Sequence, residues 1–135
     1  MTIQLATSTR NARLDAIESD AGTAAKLEIY SGAIPANCAA ATTGTKLAEF
    51  DLASDWAANA SGGAKTLNNL PLSTAGAASG TAGYFRLFKS DGTTCQMQGT
   101  VTATGGGGDM TLDNVSIASG QTVNVTGFTI TDGNA

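Results

Sequence analysis

The residue types that most often carry enzyme chemistry are scarce in this chain. It has no histidine, which removes the commonest general base, the Ser-His-Asp and Cys-His arrangements, and the most frequent transition-metal ligand. Four consecutive glycines, Gly105 to Gly108, suggest a phosphate-binding loop. The Lys and Ser/Thr that complete such a loop do not follow, and Asp109 would repel a phosphate. A flexible hairpin loop is the plainer reading. Asp51 with Asp55, and Asp109 with Asp113, are spaced to pair as acid and base or to hold calcium. No segment repeats oxygen ligands at every second position, as a calcium loop does. Cys38 and Cys95 are the only cysteines. Their spacing fits no metal or redox motif, and nothing in the sequence brings them together, so a disulfide between them stays an open alternative. The triplets beginning at Asn59, Asn114 and Asn124 fit the glycosylation pattern, as chance allows in an Asn/Thr/Ser-rich chain. Trp56, Tyr30 and Tyr84 would stack on a sugar if exposed; packing is the commoner fate of such rings. The chain therefore reads as non-enzymatic, with no cofactor and no metal site.

Composition sets the frame for whatever the chain does instead. Its 135 residues suffice for one domain with a real core. Hydrophobic residues make up 41%, but much of that is alanine and only 5% is aromatic, so the core should be thin and suited to two packed layers. Charged residues are 13%, about half the usual share, so Thr, Ser, Asn and Gly must keep the surface wet. The formal net charge is −4, and seven Lys plus Arg are scattered along the chain. That distribution does not neutralise phosphates, so nucleic acid is not an expected partner. No apolar run reaches membrane-spanning length, and no membrane partner is expected. The stretch from Met1 to Gly22 lacks an apolar core followed by a cleavage site and does not read as a secretory signal.

The element that organises the chain runs from Ala82 to Val101 and reads as a β-hairpin. Phe85 and Leu87 alternate with Tyr84, Arg86 and Phe88, the period of a strand. Beyond Ser90-Asp91-Gly92, Cys95, Met97 and Val101 alternate with polar residues. A three-residue loop with left-handed Gly92 would pair Leu87 with Cys95 and Phe85 with Met97, matching apolar to apolar. The opposite face then carries Tyr84, Arg86 and Phe88, residue types enriched where proteins meet. These three are the candidate partner-contact residues, unless the helix at the start of the chain lies across them.

Other elements follow from the same patterns. Thr2 to Ala6 alternates as a short strand. A helix over about 8–21 is capped by Thr7 or Ser8, turns Arg10, Leu14 and Ile17 to one face, and stops at Gly22. Arg10 and Arg13 are read as a solvated face or a contact surface. Strands are predicted over Ala25 to Tyr30 and Lys46 to Ala53, with a Pro35- and Gly44-containing loop between. Gly62-Gly63 is a turn between two short strands, and Met110, Leu112, Val115 and Ile117 mark more strand. In Thr122 to Thr131 the apolar parity switches at Gly127, which predicts a β-bulge. Seven or eight short strands with one N-terminal helix predict a mainly β protein, an antiparallel β-sandwich (Ig-like or jelly-roll-like), as a single domain over 1–135.

Several stretches resemble a family of small virion proteins of tailed bacteriophages. They are Ser8-Thr9-Arg10-Asn11-Ala12 with Asp15-Ala16-Ile17, Leu27-Glu28-Ile29-Tyr30-Ser31-Gly32, Pro35-Ala36, and Gly44-Thr45-Lys46-Leu47-Ala48. The likeness is densest at Gly80-Thr81-Ala82-Gly83-Tyr84-Phe85-Arg86 with Ser90-Asp91-Gly92, continues at Gly108-Asp109-Met110-Thr111-Leu112, and ends in the Gly120 to Thr131 strand. The resemblance implies a virion structural protein, assembled in the host cytoplasm, with no catalytic residues to carry over. Its expected partners are the major capsid protein or other virion proteins, or further copies of itself. A head decoration (cement) protein on the outer capsid is the leading expectation. A tail, collar or fibre component is the alternative, and a carbohydrate-binding module for host-surface glycans is a third.

Overall fold

A computed structural model describes residues 3–133. The chain is mainly β with one helix, α1 (Thr7–Ala21). Nine strands follow among the described residues: β1 (Lys26–Ser31), β2 (Lys46–Asp51), β3 (Ala64–Thr66), β4 (Leu72–Ala75), β5 (Gly80–Phe88), β6 (Cys95–Ala103), β7 (Met110–Leu112), β8 (Ser116–Ile117) and β9 (Thr122–Thr131). Hydrogen bonding joins them in the order β2-β1-β5-β6-β7-β9-β3, with β4 also paired to β9 and β8 to β5. Just past β4, the Ala77 N–H bonds the Leu47 carbonyl of β2 at 2.7 Å, so the sheet curls until distant strands meet. Residues 3–6 belong to no strand, and Thr2 of the expected first strand lies outside the described residues.

The sheet is mixed, not purely antiparallel, because β6 and β7 run parallel. Parallel neighbours ordinarily need a long crossover; here six residues suffice, because only the last part of β6 is paired and the chain doubles back twice. Glycine makes that possible. Gly105 and Gly107 take φ of +86° and +81°, and a Cβ on Gly106 or Gly108 would sit under 3 Å from Thr102 side-chain atoms. The four-glycine run is thus a strand-to-strand step, and the hairpin reading of it fails.

Bulges decide which side chains reach the core. Tyr30 pairs with Lys46 and Ile29 with Ala48, leaving Leu47 as the extra residue, so Leu47 and Ala48 both turn inward. In β9 the extra residue is Thr126, between the pairs Thr111–Gly127 and Leu112–Val125. It brings Phe128 into the same core as Val123 and Val125, as the parity switch predicted. In the central hairpin Phe88 pairs with Cys95 and Leu87 with Met97, so Gln96 is extra. The expected Leu87–Cys95 and Phe85–Met97 register is therefore off. The loop is longer than three residues: Lys89 N–H bonds Thr94 C=O at 2.9 Å, and the Asp91 carboxylate accepts from the N–H groups of Thr93 and Thr94. Gly92 does take the left-handed conformation, φ +72°.

Helix α1 docks on this structure. Leu14 and Ala21 are buried, and Ile17 packs against the core. Its N-cap is Ala6, with no side-chain cap, so neither Thr7 nor Ser8 fills that role; Gly22, φ +87°, ends it as expected. Polar groups fix its position. Asn11, Asp15 and Glu18 lie on one stripe and accept hydrogen bonds from the backbone N–H groups of Gly63 (2.9 Å), Ala60 (2.8 Å) and Ala57 (3.3 Å). The Lys65 ammonium, its side chain 1% exposed, reaches from β3 to Asp15 and Glu18 at 2.9 Å each. Burial works against that charge, but the bonds to the two carboxylates outweigh it and raise the lysine's pKa. Arg13 pairs with Asp132, and Arg10 donates to the Asp132 carbonyl, so these arginines fasten the helix to the chain beyond β9. The C-terminal turn of the helix is held by the hairpin tip, where Ser90 N–H bonds Ala21 C=O at 2.9 Å and Lys89 pairs with Asp20.

Candidate functional site

The β5 alternation places Phe85 and Leu87 in the main core and Tyr84, Arg86 and Phe88 on the other face, as the sequence predicted. That face is not a free surface. Tyr84, Arg86 and Phe88 are 0%, 2% and 6% exposed. The helix does not cover it; the loop of residues 32–45, between β1 and β2, does.

The covering is built from backbone carbonyls that have no strand to pair with and find side-chain donors instead. Arg86 donates from Nη2 to the Asn37 carbonyl (3.1 Å), from Nη1 to Thr42 Oγ1 (3.0 Å) and from Nε to Gln98 Oε1 (3.1 Å). Gln98 Nε2 donates to the Pro35 carbonyl at 2.6 Å. The Tyr84 hydroxyl accepts from Thr43 N–H at 3.1 Å and donates to the Thr43 carbonyl. Beneath the loop the Tyr30 and Tyr84 rings stack, centroids 5.3 Å apart. The three candidate contact residues are thus spent inside the chain, and the expectation that they meet a partner is corrected accordingly.

A row of charges borders this cluster. Glu28 lies opposite Arg86 on one side and Glu49 on the other. Tyr30 donates its hydroxyl to Glu28. Burial first, and then Glu28, push the Tyr30 pKa up, so the hydroxyl stays protonated and serves as a donor. Lys46 bridges Glu28 and Glu49, and Lys26 bridges Glu49 and Asp51. The Glu49 carboxyl is held down to about 2, chiefly by Lys46. Each charged group is committed to a structural neighbour. The arrangement fastens a loop, and it presents no nucleophile beside a base.

The remaining sequence candidates are dispersed. Trp56 is buried in the main core and Tyr30 beneath the loop, so neither offers a ring to a sugar. Asp109 accepts from the Thr100 N–H and hydroxyl, both at 2.8 Å, while Asp113 accepts from Asn124. Among the described residues no group of three or more His, Cys, Asp or Glu side chains is placed to hold a metal ion. None of the described helices is long and apolar enough to cross a membrane. Both cysteines, Cys38 in the covering loop and Cys95 on β6, are half-buried free thiols; Cys95 packs beside the Tyr30–Tyr84–Phe88 cluster and donates to the Met97 carbonyl at 3.5 Å. The Gln96 bulge turns Cys95 toward the loop, and no sequence pattern signalled it. The Asn11–Asp15–Glu18 stripe was also missed, although its spacing of four and three residues is a helical face in plain view. No family model, curated protein or solved structure matches the chain.

Proposed function

We propose that the chain is a non-enzymatic structural protein of a tailed-bacteriophage virion, specifically a head decoration (cement) protein bound to the outer capsid surface. We read its curled sheet as an Ig-like or jelly-roll-like two-layer sandwich. The resemblance of its segments to small phage virion proteins supports the reading, and so does its hydroxyl- and amide-rich exterior. The observation that carries it is where large apolar side chains stay exposed. Ile3 is 79% and Ile34 37% exposed. Both lie on segments outside the sheet, one preceding α1 and one in the covering loop. With Tyr84, Arg86 and Phe88 internal, these two are the anchor points a protein partner such as the major capsid protein would bury. A tail, collar or fibre component would use the same anchors at lower copy number. The carbohydrate-binding reading loses its support, because the aromatic side chains it needs are buried.

The test is loading onto purified particles that lack the native protein. Burying one isoleucine contributes about 1.5–3 kcal/mol, so the variant carrying Ile3→Ser and Ile34→Ser should load roughly 100-fold more weakly or worse, with an unchanged melting curve. Equal loading of variant and wild type would remove these anchors, and failure of the wild type to load would remove the capsid reading.

A further inference from the structure

One strand of the sheet stops short of its neighbours. β7 begins at Met110, opposite Val101 of β6 and Phe128 of β9. Beyond that point β6 extends back to Cys95 and β9 runs on to Thr131, with no strand between them among the described residues. The glycine run leaves this gap, because it brings the chain in across β6: Gly108 N–H bonds Thr102 Oγ1 at 2.9 Å, and Asp109 takes the Thr100 N–H at 2.8 Å. The gap is a cleft of about 330 Å³. Phe85, Met97, Phe128 and Ile130 make its inner side apolar, with the Phe85 and Phe128 rings edge to face at 5.1 Å. Asp109, Thr129 and Thr131 make its outer side polar and exposed. Helix α1 closes the far end, where Gln96 Nε2 bonds the Ile17 carbonyl at 2.8 Å.

Both walls turn backbone groups into the cleft. On β9, Phe128 C=O accepts from Leu67 N–H and Asp132 N–H donates to Gly63 C=O, so these positions spend their groups on the β3 side. Strand alternation then aims the Thr131 N–H and C=O the other way, at the cleft. On β6 the Thr100 N–H faces Asp109, and the same alternation aims the Gln98 N–H and C=O there as well. The charge of Asp109 is also unanswered: every ion pair among the described residues goes to another carboxylate. We infer that the cleft takes a short extended segment of a partner protein as an added strand, with apolar side chains inward and a Lys or Arg outward against Asp109. One missing strand leaves walls about 10 Å apart, the width such a segment fills. Thr129 to Thr131 set the paired length at about three residues. A second copy of this chain does not supply that chemistry, because its strand-like stretch outside the sheet, Ile3 to Ala6, has no Lys or Arg. The inference uses no part of the virion reading, and its test needs no particles.

The test is titration of the isotope-labelled protein with the acetylated, amidated peptide Val-Lys-Val-Thr-Val, followed by amide NMR. Its Val side chains share one side, and its Lys and Thr share the other. Saturable shifts should centre on Gln98, Thr129 and Thr131 with a Kd on the order of 1 mM, and the Gln98 and Thr131 amides should exchange more slowly once the cleft is filled. Asp109→Asn keeps an acceptor for Thr100, so it should melt like the wild type and bind the peptide about 2–5-fold more weakly. Glu in place of the peptide's Lys should weaken binding to the wild type by at least as much. Pro in place of the central Val removes a strand N–H and should abolish binding. No saturable shift at about 10 mM peptide, equal binding of the Pro peptide, equal binding to Asp109→Asn, or shifts centred elsewhere would each overturn the inference. So would the same amides shifting with protein concentration alone, which would give the cleft to a second copy.

Discussion

Tyr84→Phe removes one oxygen atom and keeps the ring stacked on Tyr30, so it isolates what the covering loop owes to that hydroxyl. The oxygen accepts from Thr43 N–H and donates to Thr43 C=O. Each such bond has a net value of about 1 kcal/mol, and a buried group left without its partner costs about 1–3 kcal/mol. Thr43 lies in a half-covered loop whose freed groups can turn to water, so the lower end applies. A loss of about 2 kcal/mol is expected, or roughly 6–10 °C in Tm for a chain of this length. Urea melts give the free energy. Hydrogen exchange localises it, since the Thr43 amide should exchange on the order of 30-fold faster while amides of β5 and β6 change only through the global term. If Tyr84 faced solvent, the substitution would stay within about 0.5 kcal/mol. An unchanged melt together with an unchanged Thr43 amide would refute the covered-face account.

The other predictions test the helix dock, the hairpin and the charges. Lys65→Met strands the Asp15 and Glu18 carboxylates; Asp15 is half exposed and can hydrate, so a loss of about 2–4 kcal/mol is expected by denaturant melt, whereas an unchanged stability would show that the ammonium does not hold α1. Gly92→Val forces a β-branched residue into φ +72° and should cost roughly 1–3 kcal/mol, although a Cβ there would meet the Lys26 side chain only at an ordinary contact distance of 3.8 Å; equal urea midpoints would count against the left-handed turn. Stability should also depend on pH at both ends. Glu49 is held at about 2 against an ordinary 4.5, and Asp15 is lowered by Lys65, so their contribution is full above about pH 4.5 and is lost as pH falls toward 2. Cys95 is raised from 9.0 to about 12, so the folded chain keeps a proton that the unfolded chain gives up, and stability falls as pH climbs from 9 toward 12. Melts across pH should show the alkaline loss shrink in Cys95→Ala; an identical alkaline slope would contradict the buried thiol.

The legible parts of this fold were the ones governed by simple periods. Phe85 and Leu87 against Tyr84, Arg86 and Phe88 showed the two faces of β5, and Leu14 with Ile17 showed the buried side of α1. What failed was register. A bulge moves a whole strand's pairing by one residue at almost no compositional cost, so nothing in Thr94 to Gln98 announced that Gln96 is extra or that Cys95 faces the loop. The parity switch near Gly127 was readable because large apolar residues flank it; the one at Leu47 was hidden because Leu47 and Ala48 both fit a core. The candidate site failed for a different reason. Two aromatics and an arginine on one strand face describe an interface equally well whether its other side is another protein or a loop of the same chain. Residues 32–45 carry few large apolar side chains, so their fit to that face rests on backbone carbonyls, which every sequence has.

The virion reading stands or falls most directly on copy number in purified particles. Quantitative staining or mass spectrometry of gradient-purified virions, calibrated on the major capsid protein, should find this chain on the order of hundreds of copies per particle, in a fixed ratio to the capsid lattice, as symmetric decoration demands. A few copies or a few tens would move it to the tail, collar or fibre, and its absence from the particle would contradict the account.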